Sequence, residues 1–554
     1  MTIKATSAGW YQLRVGAEQF QAAEEAAQLP GVKLVEANGE YTLELPENVL
    51  AALAAFDLPR SAPQRSAATF FWPKRDPFHH QIDAIEWLLE RGGGLLADDM
   101  GLGKTTSAAV AAQEAARRLG GGLRVVVGPP YVESVWRREL HALGYVLSPD
   151  DVAAARGTRA YEKALDGTLD SGWMFVPYHL AEEWTSFCRV SRAGRVVATI
   201  VDEAHWAKNP KSKRGIAMRN IAGLASFRVL LTGTPMANRP NELWNLLTAL
   251  DGAGAWGSFH EFRVRYCGAE HSGHGYVDTR PTNVEELKQR MGWRYLRRTA
   301  KSEGLNLPAF RREPLYVTMT PEIAAEYERL VGKLLGGRDG AALLDDLERG
   351  VFGKDTLRQM TALRKFTSRM KIDATVALTL DCLEAGQSVL VFAWERAVVR
   401  KIVAKLRSQA AATIEITGEV NAAERQRLVD GFQLRQDGVS RVLVATGDTL
   451  GEGVTLTQAS RVIMHDLSWV PSEVLQREAR VNRIGQDKPV VSTWPLLRNS
   501  FDVLLAQHLV SKGEQIERVL GMEEARRAAD VFGDLRRQTI DAKAMLKSWA
   551  RGVN

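Results

Sequence analysis

The sequence predicts an α/β protein built mainly of two tandem domains with parallel sheets, and three observations lead there. Short apolar runs of the kind that fill buried parallel strands alternate with helical patterns twice, first between 78 and 300 and again between 388 and 494. A Gly-rich loop ending in Gly103-Lys104-Thr105 follows the first apolar run, Leu95-Leu96-Ala97. Carboxylates, threonines and arginines stand just past the later runs, where open α/β sheets place their functional groups. At 554 residues the chain has room for about three or four domains.

Composition narrows the class. With 45% apolar and 25% charged residues, no run long enough to cross a bilayer and no apolar signal segment after Met1, an intracellular globular protein without a membrane partner is expected. That address means cytoplasm in a bacterial or viral source and nucleus in a eukaryotic one. Three scattered cysteines, Cys188, Cys267 and Cys382, make no disulfide framework. The 72 basic and 66 acidic residues leave a net charge of +6, a weak pointer to a polyanionic partner unless the excess is localised.

In chain order, residues 1–65 read as a small α+β domain, with alternating runs at Trp10–Val15 and Tyr41–Leu45 each followed by helix-like sequence. Its charge is balanced and gives it no function. A Ser, Ala and Pro-rich linker leads into a first lobe over 76–300, with strands expected at Leu95–Ala97, Val125–Val127, Met174–Val176, Val196–Val201 and Val229–Leu231. Residues 301–372 read as a helical insertion or linker. A second lobe over 373–510 has expected strands at Ser388–Phe392, Thr413–Ile416, Arg441–Ala445, Arg461–Met464 and Val490–Trp494, and 511–554 reads as a helical tail.

The loop after the first run is a phosphate cradle. Gly101 and Gly103 let backbone N–H groups approach an anion, Lys104 can reach the terminal phosphates, and the Thr105 hydroxyl can hold Mg2+ at the helix N-terminus. The pattern departs from G-x-x-x-x-G-K-[ST] in carrying Asp98 at the first glycine, and the alternative is an ordinary strand-to-helix turn. Asp202-Glu203 leave the strand Val196–Val201 as adjacent carboxylates that can divide labour, Asp202 on the metal and Glu203 on the attacking water. The alternative is an acidic pair capping the next helix. Arg480 and Arg483 stand three apart, one turn on a helix face, so both could address one anion; a surface pair answering Glu473 or Glu478 is the alternative.

Basic residues concentrate between 288 and 312, including Arg297 and Arg298, and on a probable helix carrying Arg358, Arg364, Lys365, Arg369 and Lys371. Contact with a phosphate backbone is the functional reading, and a solvated helix face the alternative. Cys267, His271 and His274 have ligand-like spacing but no evident fourth partner, so a loop is expected rather than a metal site.

Taken together, in this order and spacing, these segments resemble the Swi/Snf-type ATPases of helicase superfamily two over roughly residues 76–500. Gln81 resembles the adenine-reading glutamine, Ala97 to Thr105 motif I, and Val125 to Glu139, with Trp136, motif Ia. Asp202-Glu203-Ala204-His205 resembles motif II, the DEAH box, and Thr232 to Pro235 motif III. In the second lobe Val389 to Phe392 resembles motif IV, Gly451 to Leu456 motif V and Gln476 to Gln486 motif VI. Asp98 is then the residue the family usually carries. Phe262 to Cys267 and Tyr295 to Arg298 resemble the annealing-helicase branch. Asn482 stands where relatives often have His, and Thr446 to Leu450 depart from the commoner Ser/Thr-Ala-Gly pattern.

The resemblance implies two RecA-like lobes and a DNA-dependent ATPase with ATP and Mg2+ as cofactors. It implies catalytic roles for Lys104, Glu203, Arg480 and Arg483, and nucleotide contacts from Gln81, Asp98, Met100, Gly101, Leu102, Gly103, Lys104, Thr105, Thr106 and Gly453. Metal ligation falls to Thr105 and Asp202, and coupling of ATP to DNA to Thr232, Gly233, Thr234 and Gln476. Candidate DNA contacts are Arg297, Arg298, Arg364 and Arg369. The expected function is an ATP-driven translocase on double-stranded or branched DNA, acting as a monomer. A strand-separating helicase and a non-catalytic DNA-binding scaffold are the rivals; the intact ATP-site residues count against the second.

Overall fold

The computed structural model describes residues 3–7, 10–15, 32–37, 40–46, 73–154, 172–191, 196–236, 239–252, 254–272, 275–278, 280–300, 302–303, 307–335, 354–433, 439–447, 449–450, 454–483 and 485–522. The helix-like stretches of the N-terminal domain, Gly453, and the tail beyond 522 lie outside them. Four N-terminal strands, β1 (Ile3–Ser7), β2 (Trp10–Val15), β3 (Lys33–Ala37) and β4 (Glu40–Pro46), form an antiparallel sheet in the order β1-β2-β4-β3. The chain divides into two compact units, the first taking in this sheet and reaching Leu305, the second beginning at Asn306 and also taking in residues 270–279.

The first unit is built on seven parallel strands. They are β5 (Gly93–Leu96), β6 (Leu123–Gly128), β7 (Ala153–Ala154), β8 (Trp173–Pro177), β9 (Val196–Val201), β10 (Phe227–Leu231) and, beyond a two-stranded sheet of β11 (Ala269–Ser272) and β12 (Gly275–Asp278), β13 (Tyr295–Leu296). Their order is β13-β5-β10-β9-β6-β8-β7. Every residue of β6, β8 and β9 is buried, which is why these strands read as unbroken apolar runs. Alternate side chains enter two cores: Val125, Val127 and Val201 one, Val126, Ile200 and Leu231 the other.

The second unit repeats the plan with six parallel strands: β14 (Phe310–Val317), β15 (Ser388–Ala393), β16 (Thr413–Ile416), β17 (Val442–Thr446), β18 (Ala459–Met464) and β19 (Val490–Leu497), in the order β14-β19-β18-β15-β17-β16. Here the structure departs from the sequence reading. Residues 310–317 are not part of a helical insertion but an edge strand paired along its whole length with β19. The helices Pro321–Leu335 and Lys354–Met370 belong to the same unit, and the Tyr327 hydroxyl accepts the Phe501 N–H at 2.8 Å. The second lobe therefore begins at about 306 rather than 373. Among the described residues no helix is long and apolar enough to cross a membrane.

The basic runs are also largely spent on structure. Arg294 and Asp251 form an ion pair at 2.9 Å with both side chains almost wholly buried, Arg290 donates to the Tyr266 hydroxyl and the Ala255 carbonyl, and Arg312 grips Glu478. Lys371 is buried against Asp502 at 2.8 Å. Arg364 is a correction to its expected role: its Nη2 donates to the Leu467 carbonyl at 2.7 Å and its guanidinium lies over the Trp394 ring, so it supports the second lobe's interior. Arg369 remains half exposed, 3.6 Å from Glu395.

Candidate active site

β5 delivers the chain into the loop Ala97–Gly103 and then the helix Lys104–Arg118. Gly103 sits at the helix N-cap with φ +76, and a Cβ there would come within 2.2 Å of Gln81 Nε2, so only glycine fits. Gln81 is buried, donates to the Leu102 carbonyl at 3.2 Å and accepts the Phe78 N–H at 3.0 Å, while His80 Nε2 meets the Leu102 carbonyl at 2.9 Å. The helix His79–Glu90 thus braces the loop from behind.

Lys104 folds back into the loop, donating to the Asp98 carbonyl at 2.7 Å and the Asp99 carbonyl at 3.1 Å. Burial pulls its ammonium pKa down, and the charges of Glu203, Asp98, Asp99 and Asp202 push it up in that order. Of these four carboxylates, those of Asp98 and Asp99 also pair with Arg298 and Arg297. Asp202 Oδ2 accepts the Trp136 indole N–H at 2.7 Å and Oδ1 accepts the Glu203 N–H at 2.9 Å, which fixes the carboxylate. Among the described residues no three His, Cys, Asp or Glu side chains form a metal cage of their own. Hard oxygen donors on Asp202 and the Thr105 hydroxyl, few in number, fit Mg2+, which keeps waters and takes the rest of its shell from phosphates.

Glu203 does not cap a helix. It stands in the left-handed region at φ +48, ahead of the short 3-10 turn Ala204–Ala207, with no capping bond from its side chain. Such strain in a non-glycine residue persists where the surroundings impose it. Tyr178 OH imposes it here, donating to the Asp202 carbonyl at 2.9 Å and the Glu203 carbonyl at 3.3 Å. Glu203 Oε2 lies 3.4 Å from His205 Nδ1, which lies 3.2 Å from Thr232 Oγ1, and that oxygen accepts the Thr234 N–H at 3.0 Å. Gly233 packs over Met100 of the loop. Lys104, Asp202, Glu203, Thr232, Gly233 and Thr234 are thereby assembled at one sheet end, with Thr105 and Thr106 in the first turn of the helix.

Sequence reasoning missed three supports. Arg297 and Arg298 were read as nucleic-acid contacts, but Arg297 pairs with Asp99 at 2.6 Å and Arg298 holds both carboxylate oxygens of Asp98 and the His80 carbonyl. These arginines follow β13 and clamp the phosphate loop from a strand two hundred positions away. Arg75 bridges Thr106 Oγ1 at 3.1 Å and Glu139. The clamp predicts that Arg298→Gln leaves duplex DNA affinity nearly unchanged but, by stranding the buried Asp98, lowers lobe stability by about 3–5 kcal/mol in urea unfolding. Lost DNA affinity with intact stability would restore the phosphate-contact reading.

In the second unit the helix Pro471–Glu478 ends earlier than the spacing suggested. Arg480 and Arg483 lie in the turn beyond it rather than on a helix face. That turn is held by the Val481 and Asn482 N–H groups on the Glu478 carbonyl and by the Leu456 N–H on the Arg480 carbonyl at 2.8 Å. Glu478 is itself anchored by Arg312 at 2.7 Å. Gly447 admits Arg477, whose Nη2 would stand 2.1 Å from any Cβ there. Gln476 is half-buried one turn before Arg480. Burial and the neighbouring Arg480 charge both pull the Arg483 guanidinium below its ordinary pKa.

Residues 80–372 match the SNF2-related domain and residues 370–485 the helicase conserved C-terminal domain. The chain is 30% identical over 443 residues to the Xenopus laevis SWI/SNF-related matrix-associated actin-dependent regulator of chromatin subfamily A-like protein 1, covering 76% of this chain and 43% of that protein. The Caenorhabditis elegans homolog of that protein is 26% identical, with 82% and 63% covered. The Bos taurus DNA annealing helicase and endonuclease ZRANB3 is 27% identical, with 77% and 39% covered. The chain thus spans less than two thirds of the length of each of these relatives.

Proposed function

The chain belongs to the SNF2-related domain family, and on that premise we propose that it is a DNA-dependent ATPase that converts ATP hydrolysis into movement on double-stranded or branched DNA. The observation that carries the reading is the phosphate loop, in which Lys104 folds onto the Asp98 and Asp99 carbonyls behind the left-handed turn at Gly103, with Asp202 and Glu203 at the end of another strand of the same sheet. In this reading phosphate oxygens replace the two carbonyls that now hold Lys104. Asp202 and Thr105 would hold Mg2+, which would supply positive charge against the phosphates, and Glu203, aimed by its strained backbone, orients the attacking water. Gln81 and the loop residues Met100 to Thr106 seat the nucleotide, while Asp98, buried and held by Arg298, supports the loop from behind. Arg480 and Arg483 meet the γ-phosphate in the catalytic arrangement and stabilise charge that develops there. His205 and Thr232 pass the state of Glu203 to the end of β10, which supports the coupling role of Thr232, Gly233 and Thr234. DNA as the track is supported by the relative named as a DNA annealing helicase.

Lys104→Ala tests the site. It should abolish phosphate release and weaken ATP binding while circular dichroism and duplex DNA binding stay near the parent's, because Lys104 contacts only loop carbonyls and carboxylates. Hydrolysis at the parental rate would overturn the assignment.

A further inference from the structure

From Ala204 to Asn241 the chain holds seven basic residues, Lys208, Lys211, Lys213, Arg214, Arg219, Arg228 and Arg239, and no aspartate or glutamate. Most are accounted for by structure. Lys208 pairs with Glu242 at 2.8 Å, Arg219 bonds Asn245 and stacks on Trp244, and Arg228 donates to the Ala225 and Leu250 carbonyls. Lys211, Lys213 and Arg214 are different: all three are exposed at the start of the helix Lys213–Ala222, and among the described residues none pairs with a carboxylate. Beside them Trp206 is 40% exposed, a large cost for an indole with no structural duty outside. The Arg214 guanidinium lies over its ring at 5.3 Å and Tyr131 packs edge-on at 6.1 Å, so the ring is held in place rather than tucked away. The Ser212 side chain caps the helix by accepting the Gly215 N–H at 3.0 Å, fixing the cationic residues relative to the ring.

We propose that Trp206, Lys211, Lys213 and Arg214 form a nucleic-acid site on the first lobe that takes an unpaired base of a DNA strand, the indole stacking on the base and the three cations meeting the phosphates beside it. The chemistry selects this occupant. Three cations without counter-charges call for a polyanion, and a rigid exposed ring adds affinity only for a flat partner. Paired bases within a duplex are covered on both faces by their neighbours, so only an unpaired or terminal base offers a face to the indole. The site therefore reads single-strand character at a junction, which deepens the function proposed above and rests on it. It also lies close to the chemistry: the Trp206 N–H donates to the Glu203 carbonyl at 2.9 Å, one short turn from the strained residue that orients water.

The test compares the full chain's affinity for a blunt duplex and for the same duplex carrying an oligo-dT overhang, in parent, Trp206→Ala, Trp206→Phe and Lys211→Gln/Lys213→Gln/Arg214→Gln. The parent is expected to prefer the overhang. Trp206→Ala should lose about tenfold in affinity for the overhang DNA and little for the blunt duplex, and Trp206→Phe should keep most of the parent's preference. The triple variant should lose affinity for the overhang and bind it with a shallower salt slope. If Trp206→Ala keeps the parent's preference, or loses blunt and overhang binding equally, the stacking site is overturned while the DNA reading stands. If the parent binds neither DNA, the DNA reading itself has failed and the site falls with it.

Discussion

Arg483→Ala is expected to lower DNA-stimulated ATP hydrolysis by about 10³–10⁵ while ATP still binds the first lobe. The expectation follows from the role proposed for the guanidinium and from when it acts. Arg483 has no share in the phosphate loop, whose seat is built wholly from the first unit through Gln81, Gly103 and Lys104. In the function proposed above it acts on charge that appears as the γ-phosphoryl group departs, so its removal should fall on turnover rather than on ground-state affinity. Burial and the Arg480 charge depress its pKa, and a phosphate beside the pair would offset the second of these. Arg483→Lys is expected to rescue poorly, since it keeps charge but loses the planar fork. Arg480→Ala should behave alike, and because the Leu456 N–H bonds the backbone carbonyl of residue 480, the turn itself should survive the substitution.

Glu203→Gln is the second large effect, about 10²–10⁴ in the rate of hydrolysis with ATP binding retained. The amide has the carboxylate's shape, so the left-handed backbone at φ +48 and its clamp from Tyr178 OH should survive. What is lost is a basic oxygen to orient and accept a proton from water. ATP should accordingly bind and persist, as read by a filter-binding or fluorescent-nucleotide assay run beside phosphate release. A variant that no longer bound ATP would return Glu203 to a structural role.

The parts of this design that are local in sequence were legible there. Gly101, Gly103, Lys104 and Thr105 lie within five positions, and the buried strands of both sheets announce themselves as apolar runs. Parts that depend on distant pairing were not. β14 reads Phe-Arg-Arg-Glu-Pro-Leu-Tyr-Val, charged and only half-buried because it is an edge, so its strand character comes from β19, almost two hundred positions on. Arg298 and Asp98 are two hundred positions apart, and Arg312 and Glu478 one hundred and sixty-six, so a basic run that looks free in sequence becomes a set of internal clamps. Charge spacing alone also placed Arg480 and Arg483 on a helix that stops at Glu478; the turn that follows owes its shape to backbone bonds no side-chain pattern encodes. The basic group beside Trp206 is not marked by charge spacing alone, because what sets Lys211, Lys213 and Arg214 apart from Lys208, Arg219 and Arg228 is their exposure in the fold.

The most direct measurement of the shared-site mechanism is phosphate release from Mg2+-ATP with and without duplex DNA, for parent and for Arg483→Ala, with nucleotide binding recorded for both. The parent should hydrolyse ATP faster when duplex is added, and Arg483→Ala should bind ATP as the parent does but show no such stimulation. Stimulation by duplex that survives in Arg483→Ala and in Arg480→Ala alike would contradict a catalytic site completed by the second lobe.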